Sequence, residues 1–276
     1  MQQKLLISIK REGGLLFTAL LKLTFIRNFQ YRGYLIINYI AMITRLFVEI
    51  SLWWALFRAN PEVKGTTFHD MINYLAITAF LGLFSISQAG YRLSNRISSG
   101  AISTDLIRPY NLKAYLIAQS IGENIASFLL YTLPIYGAVL VIFGIKLPYD
   151  PLRYLLFFIS VLLGGVIYFY YSYIMGMLAF WLQTTWYISW AEDAMFTLFA
   201  GTIVPLWFFP EFLNKISYLL PFRYITYEAV AFYLGRTELS AMQGVLAMQL
   251  FWIVILVFLE AVLWRKAQKK IMVFGG

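Results

Sequence analysis

The chain has 276 residues, of which 61% are hydrophobic, 19% aromatic and only 13% charged, with a mean hydropathy of +0.71. A soluble domain carries about a quarter charged residues and roughly half apolar ones, so the surplus apolar surface has to face lipid. That excludes a soluble enzyme or an exposed nucleic-acid binder despite the net charge of +9. The lack of cysteine excludes disulfides and thiolate chemistry, and a single histidine, His69, makes no His-rich metal site.

In chain order, residues 1–34 come first. Leu16, Leu20 and Leu23 recur at helical spacing, with Lys10, Arg11, Lys22 and Arg27 around them. This pattern predicts an amphipathic helix lying in the inner headgroup layer. The alternative is a solvated basic leader, because Gly13-Gly14 interrupts the stripe. No cleavable signal peptide is expected, since Leu5–Ile9 is short and is followed by Lys10-Arg11-Glu12.

Residues 35–276 read as one transmembrane domain of an all-α integral membrane protein, with spans at about 35–57, 71–91, 114–143, 154–181, 191–209 and 241–264. Long unbroken runs such as Leu155–Met177 do not alternate, which argues against a barrel. With the N-terminus inside, the cytoplasmic segments hold 14 Lys and Arg and the outer ones hold 7, which places both termini in the cytoplasm. Trp53, Trp54, Trp207 and Trp264 fall near the expected headgroup borders.

The first span carries Arg45 and Glu49, which share a helix face at i, i+4 and can pair. Ionisable groups at membrane depth are expensive and mark a functional path by default; a self-neutralising structural pair is the alternative. Glu123 and Glu260 lie nearer the cytoplasmic border. His69 and Asp70 read as a solvated loop pair.

The connection between spans two and three runs Gly100-Ala101-Ile102-Ser103-Thr104-Asp105-Leu106-Ile107-Arg108-Pro109. Ser and Thr ahead of Asp105 start a short helix, Pro109 ends it, and Gly100 allows a tight bend. Ile102, Leu106 and Ile107 would form an exposed apolar knob able to fill a partner's groove. A positive-inside loop lying on lipid is the alternative. In the fourth span, Gly164, Ser172 and Gly176 form a small-residue stripe for close helix contact. The neighbouring Tyr168, Tyr170, Tyr171 and Tyr173 then serve packing, with an aromatic drug or cofactor cage as the other reading. Between spans five and six, Gly201, Pro205, Pro210 and Pro221 interrupt an apolar stretch containing Phe208, Phe209, Phe212 and Phe222. Such a stretch is too apolar for a solvated loop and too broken for a span, so short re-entrant or interfacial helices are expected near the outer surface.

These motifs, in this order, resemble one group of ABC-2-type transporter permeases. The similarity lies in the 100–109 run, in Gly201 with Pro205-Leu206, Phe209-Pro210, Leu220-Pro221-Phe222 and Leu234-Gly235, and in the closing Trp264-Arg265 with Gly275-Gly276. The resemblance implies an interfacial N-terminal helix, six spans, a cytoplasmic coupling helix and a broken segment before the sixth span. It also implies export by two permeases, this chain with a second copy or a paralogue, joined to two cytoplasmic ABC ATPase subunits. Docking to the ATPase then falls to Gly100, Ile102, Asp105, Leu106, Arg108 and Pro109, and an outer gate to Gly201, Pro205, Pro210, Pro221 and Phe222. Arg45 and Glu49 match no motif of the family. The implied setting is a cell inner or plasma membrane of bacterial type, with lipid as surroundings and no nucleic-acid partner.

No Gly-Lys dipeptide occurs in the chain, so a phosphate-cradling loop is missing. No cofactor is therefore expected in this chain, and ATP and Mg belong to the partner ATPase; the chain itself is not expected to be an enzyme. Two other readings remain: a secondary transporter, which would want inverted repeats meeting at the midplane, and a membrane-embedded lipid-modifying enzyme, which would want an acid/base or metal constellation.

Overall fold

A computed structural model of the chain describes residues 32–84, 88–107, 111–148, 150–182 and 186–274. The expected interfacial helix, apart from residues 32–34, lies outside these residues. The first described helix, α1, covers Arg32–Ala59 and closes with Arg58 in its last turn, where a cation suits the helix dipole. A two-residue turn, Lys64-Gly65 with φ of 50° and 65°, joins β1 (Glu62–Val63) to β2 (Thr66–Thr67). Both turn residues sit in the left-handed region that such hairpins require.

Helix α2 (Phe68–Leu81) starts in a capping box: the Asp70 amide donates to Thr67 Oγ1 at 3.3 Å and the Thr67 amide donates to Asp70 Oδ2 at 3.1 Å. After a turn come α3 (Gln88–Ser98) and α4 (Ala101–Ile107). The second expected span is thus two helices, α2 ending at Leu81 before a turn at 82–84 and α3 beginning at Gln88. Helix α5 (Leu112–Ser127) runs through a wide turn at Phe128–Thr132 into α6 (Leu133–Phe143). Pro134 accounts for the wide turn. It has no N–H to give the Leu130 carbonyl one turn back, and Tyr39 of α1 donates its hydroxyl to that carbonyl instead.

Helix α7 (Pro151–Met177) is capped by Asp150, whose Oδ1 accepts the Leu152 amide at 2.9 Å. It is the central post, packing along α11 (Leu239–Phe274), α3 and α10 (Tyr227–Tyr233). The small-residue stripe makes this possible. A Cβ on Gly90 would run into the backbone of Ser172, one on Gly176 into the backbone of Gly90, and one on Gly164 into the carbonyl of Ile225. The Gly90 amide donates to Ser172 Oγ at 3.1 Å across the same contact.

Helix α8 (Trp186–Phe199) ends eight residues or more before the expected close of span five, and α9 (Glu211–Tyr218) and α10 follow among short turns. Among the described residues four stretches are long and apolar enough to cross a membrane: Ile36–Ala59, Leu112–Phe143, Pro151–Phe180 and Leu239–Lys270. Their outward faces expose large side chains such as Phe47, Leu162 and Phe258, as lipid contact requires. The chain is a mostly helical, multi-pass membrane protein.

Candidate functional site

The elbow between α3 and α5 holds the predicted docking residues Gly100, Ile102, Asp105 and Leu106. Gly100 has φ of 75°, which an L side chain rarely adopts, and so allows the reversal from α3 into α4. Ile102 and Asp105, three apart, share the face of α4 that turns inward. Ile102 is 4% exposed and packs with Ala89, Leu93, Leu112 and Leu116, while Asp105 is buried and accepts from Arg96. Arg96 also lies over the Tyr115 ring at 5.3 Å. The expectation that Ile102 belongs to an exposed knob is therefore overturned: periodicity alone does not say which face of a seven-residue helix finds a core. The outward face presents Leu106 and Ile107, 42% and 85% exposed. Arg108 and Pro109 lie outside the described residues.

Behind this elbow several basic and acidic groups are paired. Arg92 of α3 bridges to Glu123 of α5, and Lys113 Nζ meets Glu260 Oε2 at 2.9 Å while facing the Tyr170 and Tyr173 rings. Within the tyrosine run Tyr168 and Tyr173 are buried.

At the level of the middle of α1, Arg45 Nε donates to Glu49 Oε1 at 2.8 Å. The pair expected from spacing exists, and its halves differ: Glu49 is buried, whereas the Arg45 side chain is 59% exposed. Both border a cavity of 490 Å³ whose walls include Thr78, Tyr136, Tyr168 and Asp193.

The broken segment before α11 is folded on itself. Gly201, at φ of 68°, offers its carbonyl to the Tyr74 hydroxyl at 2.5 Å. Pro205 precedes the turn Leu206–Phe208, Pro210 precedes α9, and Pro221 opens the turn holding Phe222, which meets the Tyr171 ring edge-on at 4.8 Å. Here lies the part that sequence reading missed. Arg223 and Glu228 are both buried and paired, and Arg223 Nη1 donates to Asn214 Oδ1 at 2.7 Å and Ser217 Oγ at 2.9 Å. The guanidinium sits between the Tyr218 and Tyr227 rings, 3.6 and 4.6 Å away. Opposite charges five residues apart inside an apolar, proline-broken stretch were the available signal. Gln249, a lone amide in the apolar run of α11, is a second: its Nε2 donates to the Ser160 carbonyl at 2.9 Å and the Tyr224 carbonyl at 2.7 Å, tying α11 to α7 and to this segment.

His69 and Asp70 are not the solvated pair expected. Asp70 caps α2 and also bridges to Lys146, and Asn73 Oδ1 takes the Lys146 amide at 2.8 Å. Burial would raise the Asp70 carboxyl, but the hydrogen bonds from Lys146 and Thr67 outweigh it and hold it below the ordinary value. Its contribution to stability is full above the ordinary carboxylate range and is lost as the pH falls through the depressed value. Among the described residues no group of three or more His, Cys, Asp or Glu is placed to hold a metal ion.

A family model described as ABC-2 family transporter protein matches residues 41–273, which include every helix named above apart from the edges of α1 and α11. No curated protein matches the chain.

Proposed function

The chain belongs to the ABC-2 family of transporter proteins as a membrane permease of an ABC transporter, and on that premise we propose that it is the substrate-conducting subunit of an ATP-driven exporter. Separate cytoplasmic ATPase subunits supply the energy, since the chain has no phosphate loop of its own. Two permeases, identical or paralogous, complete the conducting path. In this reading α2 with α3 forms the second crossing, α8 with the turns after it forms the fifth, and the folded segment from Gly201 to Phe222 is the outer gate. Both termini are cytoplasmic.

One observation carries the reading: α4 presents Leu106 and Ile107 outward while Ile102 and the Asp105–Arg96 pair root it in the fold. A knob held this way fits a soluble partner's apolar groove, and force applied to it reaches α3. From α3 it passes to α7 through a contact in which backbone meets backbone at Gly90, Ser172 and Gly176, with no flexible side chain to absorb the displacement. Helix α7 in turn packs on α10 and α11.

Leu106→Asp tests this. The charge enters the exposed face without touching a buried contact, so the variant should insert and fold normally. It is expected to lose co-purification with the ATPase and to lower substrate efflux by about tenfold or more, the scale of a lost interface anchor. Intact assembly and transport would send the coupling role to the connection ahead of α8 and overturn the docking assignment.

A further inference from the structure

Among the described residues, Asp193 is the one charge lining this cavity without a basic partner. It lies in α8 and borders the 490 Å³ space together with Arg45 and Glu49. Arg45 is committed to Glu49, and Asp193 has no basic partner among the described residues. The lining therefore carries a net negative charge.

The rest of the lining is amphipathic in a particular way. Tyr136, Tyr168 and Phe196 supply aromatic surface, and Thr78, Thr197 and Thr202 supply hydroxyls. Aromatic faces attract cations through the ring quadrupole, and the volume lies within the range of small-molecule sites. Its walls come from α1, α2, α6 and α7 as well as from α8, and both Asp193 and the Arg45 side chain are exposed along it. A carboxylate in a membrane-crossing segment is costly unless water or a counter-ion meets it. An anion there would meet like charge, and a neutral molecule would leave Asp193 uncompensated.

We propose that this cavity recognises the transported molecule and that its substrate is a lipophilic organic cation, with Asp193 as counter-ion and Tyr136 and Tyr168 as aromatic walls. The substrate assignment rests on the exporter reading, whereas cation binding as such does not need the ATPase. The site would be loaded from the surrounding membrane, where amphipathic cations concentrate. Asp193 would supply charge selection, and the rings would supply tolerance of shape.

The test uses the full chain in lipid nanodiscs and two ions of nearly the same size and shape, tetraphenylphosphonium and tetraphenylborate, measured by equilibrium dialysis. Tetraphenylphosphonium should bind saturably. Asp193→Asn should weaken that binding by about threefold or more, as expected on removing a partly exposed counter-ion, and Asp193→Glu should largely preserve it. Tetraphenylborate should show only non-saturable partition into lipid, the same in every variant. Tyr136→Leu, which leaves all charges in place, should weaken cation binding by about threefold or more and serves as an independent arm if Asp193→Asn assembles poorly. Equal binding of the two ions, or cation binding indifferent to both Asp193→Asn and Tyr136→Leu, overturns the proposal. A chain that binds the cation but never assembles with an ATPase would sink the exporter reading and leave the site standing. One that assembles and fails to bind the cation would do the reverse.

Discussion

Glu49 and Arg45 form one ion pair with unequal halves, and the inequality sets what each substitution costs. Glu49 is buried, so Arg45→Met strands its carboxylate without a partner; a loss of about 2–4 kcal/mol is expected. Glu49→Gln should cost less, because the more exposed Arg45 can reorient its long side chain towards water. The double variant should cost less than the sum, which unfolding in detergent monitored by circular dichroism can measure as a double-mutant cycle. Strictly additive losses would show that the two groups act separately. Arg223 follows the same logic in a tighter setting: besides its pair with Glu228 it has two polar partners and lies between two tyrosine rings.

Two glycines show how a helix pairing differs from a helix turn. Gly90 has an ordinary helical backbone, but the backbone of Ser172 lies where its Cβ would be. Gly100 has open space around it and a left-handed backbone at φ of 75°. Gly90→Val should therefore separate α3 from α7 and cost about 3 kcal/mol, the upper range for overpacking. Gly100→Ala should cost only about 1–2 kcal/mol, the strain of one left-handed residue. Thermal unfolding of the two variants side by side checks the order, and a larger loss at Gly100 would mean that the α3–α7 contact is loose. The same contact explains why α3 is strongly two-faced: Ala89 and Leu93 are buried against its neighbours, while Arg92 and Arg96 reach sideways to acids on α5 and α4.

Across the whole molecule, length decides what each helix can do. A helix rises 1.5 Å per residue, so α2 and α8, at 14 residues each, cover about 21 Å, short of the roughly 30 Å hydrocarbon core. In the proposed six-crossing arrangement each is completed by its following segment, α3 for α2 and the turns around Leu206–Phe208 for α8. Those two composite crossings with the four long stretches would make the count even, so the termini would share a side, and the charge asymmetry of 14 against 7 would put that side in the cytoplasm. A C-terminal reporter active only in the cytoplasm is expected to be active, and activity of an outside-only reporter at the same position would remove one crossing from this arrangement.

Much of this was determined by the sequence alone. Membrane residence, the four long helices, the broken outer segment, the Arg45–Glu49 pair and the glycine stripe of α7 all follow from hydropathy, helical spacing and backbone chemistry, which are local properties. Gly100 likewise acts within a few residues of itself. What the tertiary structure decided is which face each element turns to which neighbour. It buried Ile102 and Asp105 and left Leu106 and Ile107 outside, it bridged Asp70 to Lys146, it ended α2 at Leu81, and it paired Arg223 with Glu228 beside two tyrosines. It also brought Asp193 from α8 to the same cavity as Arg45 from α1, nearly 150 positions apart in the chain. Periodicity says that a helix has two faces; only the packing of distant segments says which one is covered, because burial depends on partners that no local pattern names.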